Sequence, residues 1–190
     1  MHLCAHCRAW RIGPGWHDGW VITLDDFDTY PDFPVPGVLF YDISPLLADA
    51  ARFATACAAL MPREPVDVVV GVDARGFIFA PVVAQRLGVG MAMVRKKGKM
   101  PGDLLESTAT IEYGASDLVI SPASVERKRV LVIDDVLATG GTAAAVAEML
   151  ARAGATSVEF SFLLELDALG GREALAGHTV TSVVRVPAPA

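Results

Sequence analysis

The sequence predicts an α/β fold with a mostly parallel central sheet flanked by helices. Three observations lead there. Residues 66–72 (VDVVVGV) and 130–133 (VLVI) are uninterrupted apolar, β-branched runs, the mark of strands buried on both faces. Each run ends in a charged or glycine-bearing turn that opens a helix-forming stretch, the order of a parallel strand–turn–helix unit. The chain has 190 residues, enough for one full core but not for two domains.

The elements follow in order. Residues 1–22 are rich in Gly, Trp and His and have no period, so they read as an N-terminal extension; residues 23–190 form the single domain. Cys4 and Cys7 form a C-x-x-C beside His2 and His6, but no second pair follows at finger spacing, which argues against zinc. Trp10, Trp16 and Trp20 suggest that part of the extension packs on something, such as a second subunit. Residues 23–29 read as a helical turn with Thr23 as its cap. Three prolines and Gly37 fix an extended, turn-rich path over 30–43. Ser44 then caps a helix with Pro45 at its first position, running to about Leu60. Cys57 reads as a core residue of that helix.

After the strand 66–72 comes Asp73-Ala74-Arg75-Gly76 and a helix over 77–87. Residues 89–94 form the next strand, which runs into Arg95-Lys96-Lys97-Gly98-Lys99. Residues 100–107 (MPGDLLES) are polar and carry a glycine, as a flexible lid would, and 108–113 is a strand. Residues 117–125 read as a hairpin strand. The strand 130–133 leads to Asp134 and Asp135, a loop of small residues (Ala138, Thr139, Gly140, Gly141, Thr142), and an alanine-rich helix over 141–152. A strand over 156–164, a turn and helix over 165–176, and a last strand over 179–186 complete the chain.

The stretch 129–145 (RVLVIDDVLATGGTAAA) carries the chemistry. Backbone N–H groups at a helix N-terminus receive a phosphate, and glycines let the backbone come close to it. The hydroxyls of Thr139 and Thr142 add hydrogen bonds. Asp134 and Asp135 at the strand end can accept from ribose hydroxyls or hold a hydrated metal. A P-loop ATPase would need G-x-x-x-x-G-K-[ST], which does not occur. Arg75 presents a planar fork suited to a pyrophosphate. Three of the four lysines fall within four positions beside Arg95, in a chain of net charge −6. That balance argues against general nucleic-acid binding and for a local anion site. No apolar run approaches the ~18–20 residues of a membrane span, and the N-terminus lacks a signal-peptide core. The chain therefore reads as cytoplasmic, with no membrane partner.

Residues 129–145 resemble the 5-phosphoribosyl-1-pyrophosphate (PRPP) signature of the type I phosphoribosyltransferases. DFPVPGVLFYDISP resembles a segment of adenine phosphoribosyltransferases, with Tyr41 where that pattern carries a basic residue. GVDARGF, RKKGK, IEYG and the L-x-E-L-x-x-L-x-G-R-E-x-L run resemble further parts of the same family. Val119 and Ser121 depart from it. The resemblance spans residues 30 to about 175. It implies the type I fold with a small hood and a flexible lid loop, and a homodimer.

The implied reaction is adenine plus PRPP giving AMP and pyrophosphate, with Mg²⁺ as cofactor held mainly through PRPP and no dedicated protein metal site. Ala138–Thr142 would take the 5′-phosphate, and Asp134 and Asp135 the ribose hydroxyls. Asp73, Ala74, Arg75, Arg95, Lys96 and Lys99 would take the pyrophosphate. Leu39, Phe40, Tyr41 and Leu164 would hold adenine, and Glu112 would handle purine ring protons. The resemblance also implies a strained cis peptide at Asp73–Ala74. The enzymes for 6-oxopurines commonly read O6 with a lysine shortly after the PRPP motif, and this chain has none beyond Lys128. Two alternatives stay open: transfer to another purine base, or a non-catalytic PRPP or purine sensor on the same fold.

Overall fold

The computed structural model describes residues 21–111 and 114–188. A seven-stranded sheet carries the fold, in the order β5-β6-β4-β3-β7-β8-β9. Its parallel part is β4 (Gly90–Lys96), β3 (Val68–Val72), β7 (Arg129–Leu137), β8 (Ser157–Leu166) and β9 (Thr179–Val186). All five residues of β3 are buried, as its unbroken apolar run requires. β5 (Leu105–Ile111) and β6 (Gly114–Ile120) form an antiparallel hairpin that extends β4.

Helices cover both faces. α4 (Gly141–Arg152) lies on one, over a core that includes Val70, Val132, Phe160 and Phe162. On the other, α1 (Ser44–Ala48), α2 (Ala50–Ala59) and α3 (Gly76–Leu87) enclose Leu46, Cys57, Phe79, Leu131 and Leu163. A separate antiparallel pair, β1 (Asp28–Pro31) and β2 (Leu39–Asp42), forms the small hood.

The structure alters several sequence expectations. The helix expected over 44–60 is two helices, and Ser44 is not its cap. Asp49 adopts an extended conformation, and its carboxylate accepts from the N–H groups of Ala51 (2.8 Å) and Arg52 (2.9 Å). That local alternative to helical bonding ends α1 and caps α2. Asp42 Oδ1 instead takes the Ser44 N–H (2.9 Å) and hydroxyl (2.7 Å).

Residues 165–176 hold two short 3₁₀ turns, Asp167–Leu169 and Glu173–Leu175, and no α-helix. Gly170 and Gly171 separate them, and Gly170 is left-handed at φ 66°. β7 continues past the four apolar residues through both aspartates to Leu137, because Asp134, Val136 and Leu137 pair with Phe162, Leu164 and Glu165 of β8. The stretch 100–107 is only partly loop, since β5 begins at Leu105.

Near the N-terminus, the helical turn expected over 23–29 is confined to Leu24–Asp26, with Thr23 as its cap and its N–H donating to Asp26 Oδ2 at 2.7 Å, because Asp28 and Thr29 pair into β1. Among the described residues no helix is long and apolar enough to cross a membrane.

Candidate active site

A cavity of about 470 Å³ opens where the C-terminal ends of β3, β7 and β8 meet the hood. Open parallel sheets bind ligands at this edge. Its floor is Asp134, Asp135 and Val136 from β7, continuing through Leu137–Ala143 into the start of α4. One wall is Val72, Asp73, Ala74 and Arg75; the hood contributes Pro34 and Val38–Tyr41.

The loop after β7 is shaped by contact. Gly140 is left-handed at φ 80°, and a Cβ there would lie 2.5 Å from the Gly171 carbonyl oxygen. A Cβ on Gly141 would lie 1.8 Å from the carbonyl oxygen of Thr110. β5 therefore closes directly onto the N-terminus of α4, whose free N–H groups and dipole favour an anion.

Within the acid pair Asp135 is buried and Asp134 half-buried, and the two are braced against each other. Asp135 N–H donates to Asp134 Oδ1 at 2.9 Å. Burial, then the neighbouring Asp135 charge, push the Asp134 carboxyl well above its ordinary range. Burial also raises Asp135, and the Arg75 guanidinium opposes that rise. Arg75 Nε approaches Asp135 Oδ2 to 2.7 Å, yet that oxygen accepts no aligned hydrogen bond. The contact is a charge pair with lone-pair capacity left over. The same guanidinium lies 5.5 Å from the ring centre of Phe40. Phe40 in turn meets Phe33 edge-on at 5.1 Å.

The Asp73–Ala74 peptide is cis, as is Phe33–Pro34. Asp73 Oδ2 is 3.5 Å from Arg95 Nε, and its N–H donates to Val94 carbonyl oxygen at 2.9 Å. The basic cluster does not act as one unit. Arg95 turns toward Asp73 and donates to the Lys99 carbonyl oxygen (3.0 Å). Lys97 pairs with Glu106 at 2.6 Å. Lys96 and Lys99 are exposed and outside the cavity wall.

Leu39, Phe40, Tyr41, Asp73, Ala74, Arg75, Asp134, Asp135 and residues 138–142 thus meet in one cavity. Leu164 does not join them; it is fully buried in the core beneath α2 and α3. Side-chain alternation slips by one residue in both strands at this level. Leu163 and Leu164 of β8, and Val136 of β7, all serve that core, while Leu137 serves the opposite one. Phe162 and Leu166 line the cavity instead. Strict period-2 reading cannot anticipate such a slip. Glu112 lies outside the described residues, as do Cys4, Cys7 and the tryptophans. Sequence reasoning also missed Val38 and Pro34 in the wall, and Gly171 behind the loop. The Gly170-Gly171 pair was the available signal for the last of these.

Among the described residues no group of three His, Cys, Asp or Glu side chains could hold a metal ion. The spare acceptor capacity at Asp135, beside Asp134, suits a hard cation completed by ligand oxygens and water.

A glycine-rich loop at a helix N-terminus, an acid pair and a cation-bearing turn meet on one sheet edge. The comparisons agree on the class: residues 40–183 match the Phosphoribosyl transferase domain. The adenine phosphoribosyltransferase of Acidothermus cellulolyticus is 50% identical over 160 residues, covering 82% of this chain and 90% of that one. The crystal structure of adenine phosphoribosyltransferase from Saccharomyces cerevisiae, complexed with an imino-altritol bisphosphate and adenine, has a TM-score of 0.77 at 36% identity. It covers 83% of this chain and 94% of its own. The Trypanosoma brucei enzyme, in complex with AMP, pyrophosphate and ribose-5-phosphate, has a TM-score of 0.77 at 26% identity over 85% of this chain and 77% of its own. The chain belongs to the adenine phosphoribosyltransferase family.

Proposed function

We propose that this protein transfers the phosphoribosyl group of PRPP to adenine, giving AMP and pyrophosphate. The observation that carries the reading is the meeting of residues 138–142, Asp134–Asp135, Asp73–Arg75 and Leu39–Tyr41 in one cavity. Each part suits one piece of PRPP or the base. The 5′-phosphate belongs at the N-terminus of α4. The ribose hydroxyls donate to Asp134 and Asp135. The pyrophosphate lies toward Asp73, Ala74 and Arg75, with Arg95 behind Asp73; Lys96 and Lys99 reach it only if the lid turns inward. Adenine rests against Leu39, Phe40 and Tyr41, with Phe162 and Leu166 completing the slot.

A ring nitrogen of adenine bonds to the anomeric carbon as the bond to pyrophosphate oxygen breaks. The ring proton leaves to a base, the role assigned to Glu112. Positive charge grows on the sugar, where Asp134 and Asp135 offset it. Negative charge grows on the leaving group, where Arg75 offsets it. Preorganised groups of this kind contribute about 3–4 kcal/mol each. Asp134 and Asp135, with their spare acceptor capacity, would help PRPP oxygens hold Mg²⁺, which would supply further positive charge to the pyrophosphate when bound. No covalent nucleophile is needed; Cys57, fully buried with its thiol pushed up to about 11, is a core residue. The same reading makes the protein a cytoplasmic homodimer. The exposed Tyr30, Phe33 and Leu39 of the hood are apolar surface that a second subunit could cover.

The test is a pyrophosphate-release assay with PRPP, Mg²⁺ and adenine, hypoxanthine, guanine or orotate in turn. Turnover with adenine alone is expected. Turnover with hypoxanthine or guanine but not adenine would reassign the base, and binding without turnover would make the protein a sensor.

A further inference from the structure

Behind the loop read above as the phosphate cradle lies a second layer that does not itself line the cavity. Its centre is Gly171. A Cβ on Gly171 would lie 2.2 Å from the Ala138 carbonyl oxygen and 3.0 Å from the Gly140 nitrogen. A Cβ on Gly140 would meet the Gly171 carbonyl oxygen at 2.5 Å and Ala174 Cβ at 2.8 Å. The two glycine segments are therefore stacked backbone on backbone, and where one goes the other must follow.

Gly171 is held by its neighbour. The Arg172 guanidinium, its side chain 40% exposed, makes four hydrogen bonds. Its Nε donates to Glu165 Oε1 (2.9 Å), its Nη2 to Glu165 Oε2, and its Nη1 to the Val180 carbonyl oxygen (2.9 Å). Nη2 also reaches Ser182 Oγ at 3.3 Å. Glu165 is only 3% exposed, and the Ser182 hydroxyl donates to its Oε2 at 2.6 Å. Arg185 stands 3.7 Å from the same oxygen. Although burial alone would raise the Glu165 carboxyl, the Arg172 and Ser182 hydrogen bonds hold it below its ordinary value. A bidentate fork fixes direction as well as distance. The fork ties β8, β9 and the 165–176 segment together, and Arg185 of β9 joins the same pieces through Glu165 and Asp167.

The geometry points to Arg172, with Glu165 as its anchor, as the positioning residue for the phosphate cradle. It fixes Gly171, and Gly171 fixes the path of Ala138–Gly141. Neither Arg172 nor Glu165 lines the cavity, so both act through backbone contact and not by touching substrate. The inference rests on the reading above that this loop takes the 5′-phosphate.

The experiment separates the two. AMP and adenosine differ by that phosphate alone. Their dissociation constants are measured calorimetrically on the full chain and on Arg172→Ala and Arg172→Lys, alongside KM for PRPP and for adenine. In the unsubstituted protein AMP binds more tightly than adenosine. In Arg172→Ala, AMP weakens by about 10- to 100-fold, the scale of a small misplacement in a binding site. Adenosine changes by less than about twofold on the same argument. KM for PRPP rises while KM for adenine holds. Arg172→Lys keeps the charge and one contact to Glu165 but not the fork, so it folds and shows the same selective loss to a smaller degree. If Arg172→Ala does not fold, Arg172→Lys decides. Equal losses for AMP and adenosine, or no loss in Arg172→Lys, would overturn the positioning role. No preference for AMP in the unsubstituted protein would instead overturn the phosphate reading of the loop, and the positioning role with it.

Discussion

Asp134 shows how a carboxyl set in a cavity costs stability. Its carboxyl is pushed well above the ordinary value of 3.8 by burial and by Asp135. Between 3.8 and that raised value the folded state binds more protons than the unfolded chain. Raising the pH through this window therefore lowers stability. Asp134→Asn removes this loss. The variant should melt about 2–4 °C higher at pH 7, the scale of a ~1 kcal/mol gain, with the difference vanishing below pH 3.8. Combined with Asp135→Asn it should fold normally and lose at least about 100-fold in turnover. Calorimetry against pH and the pyrophosphate assay check both halves. A double variant of full activity would remove the acid pair from the mechanism.

At the scale of the element, α4 is the part on which the site depends. Val146, Met149 and Leu150 stand at i, i+3 and i+4, so one face of the helix buries them against the sheet. Its C-terminal end grips the lid's return strand, where Arg152 Nη1 donates to the Glu106 carbonyl oxygen at 2.9 Å. Its N-terminal end has no side chain at Gly141, which lets Thr110 of β5 close over it. Gly141→Ala places a methyl group 1.8 Å from that carbonyl oxygen, and β5 must move away. We expect a stability loss of about 1–3 kcal/mol, the usual cost of overpacking, and at least a tenfold rise in KM for PRPP. Denaturant melts and steady-state kinetics measure the two separately; unchanged KM would mean that β5 has no part in the site.

The element scale is also where the sequence reading was weakest. Asp49 breaks a helix that propensity alone would continue, because its side chain offers two N–H groups a nearer partner. Gly170 and Gly171 reduce an expected helix to two turns. Leu164 was placed at the base by motif position, but a slip shared by β7 and β8 turns it into the core.

For the whole molecule, the site is assembled from β3, β7, β8, the hood and the first turn of α4, so ligand binding should stabilise all of them together. At a hundred times its dissociation constant, AMP should add about 2.7 kcal/mol, a rise in Tm of about 5–11 °C for a chain of this size. Scanning calorimetry with and without AMP tests this, and no shift would mean the cavity is not a nucleotide site.

The sequence by itself determined the strand–turn–helix units around β3 and β7, the glycine loop of the cavity, its acid pair and the Asp73–Arg75 turn. These are local: an apolar run makes a buried strand, glycines make a close-approach loop, and adjacent charges at a strand end have nowhere else to go. Only the tertiary structure decided which cations face the cavity, which β8 side chains line it, and what holds the loop in place. Lys97 turning to Glu106, Leu164 turning to the core and Gly171 backing onto the Ala138 carbonyl oxygen all depend on how separate elements meet. Such contacts are fixed by packing between elements, and the spacing of residues along one segment carries no trace of them.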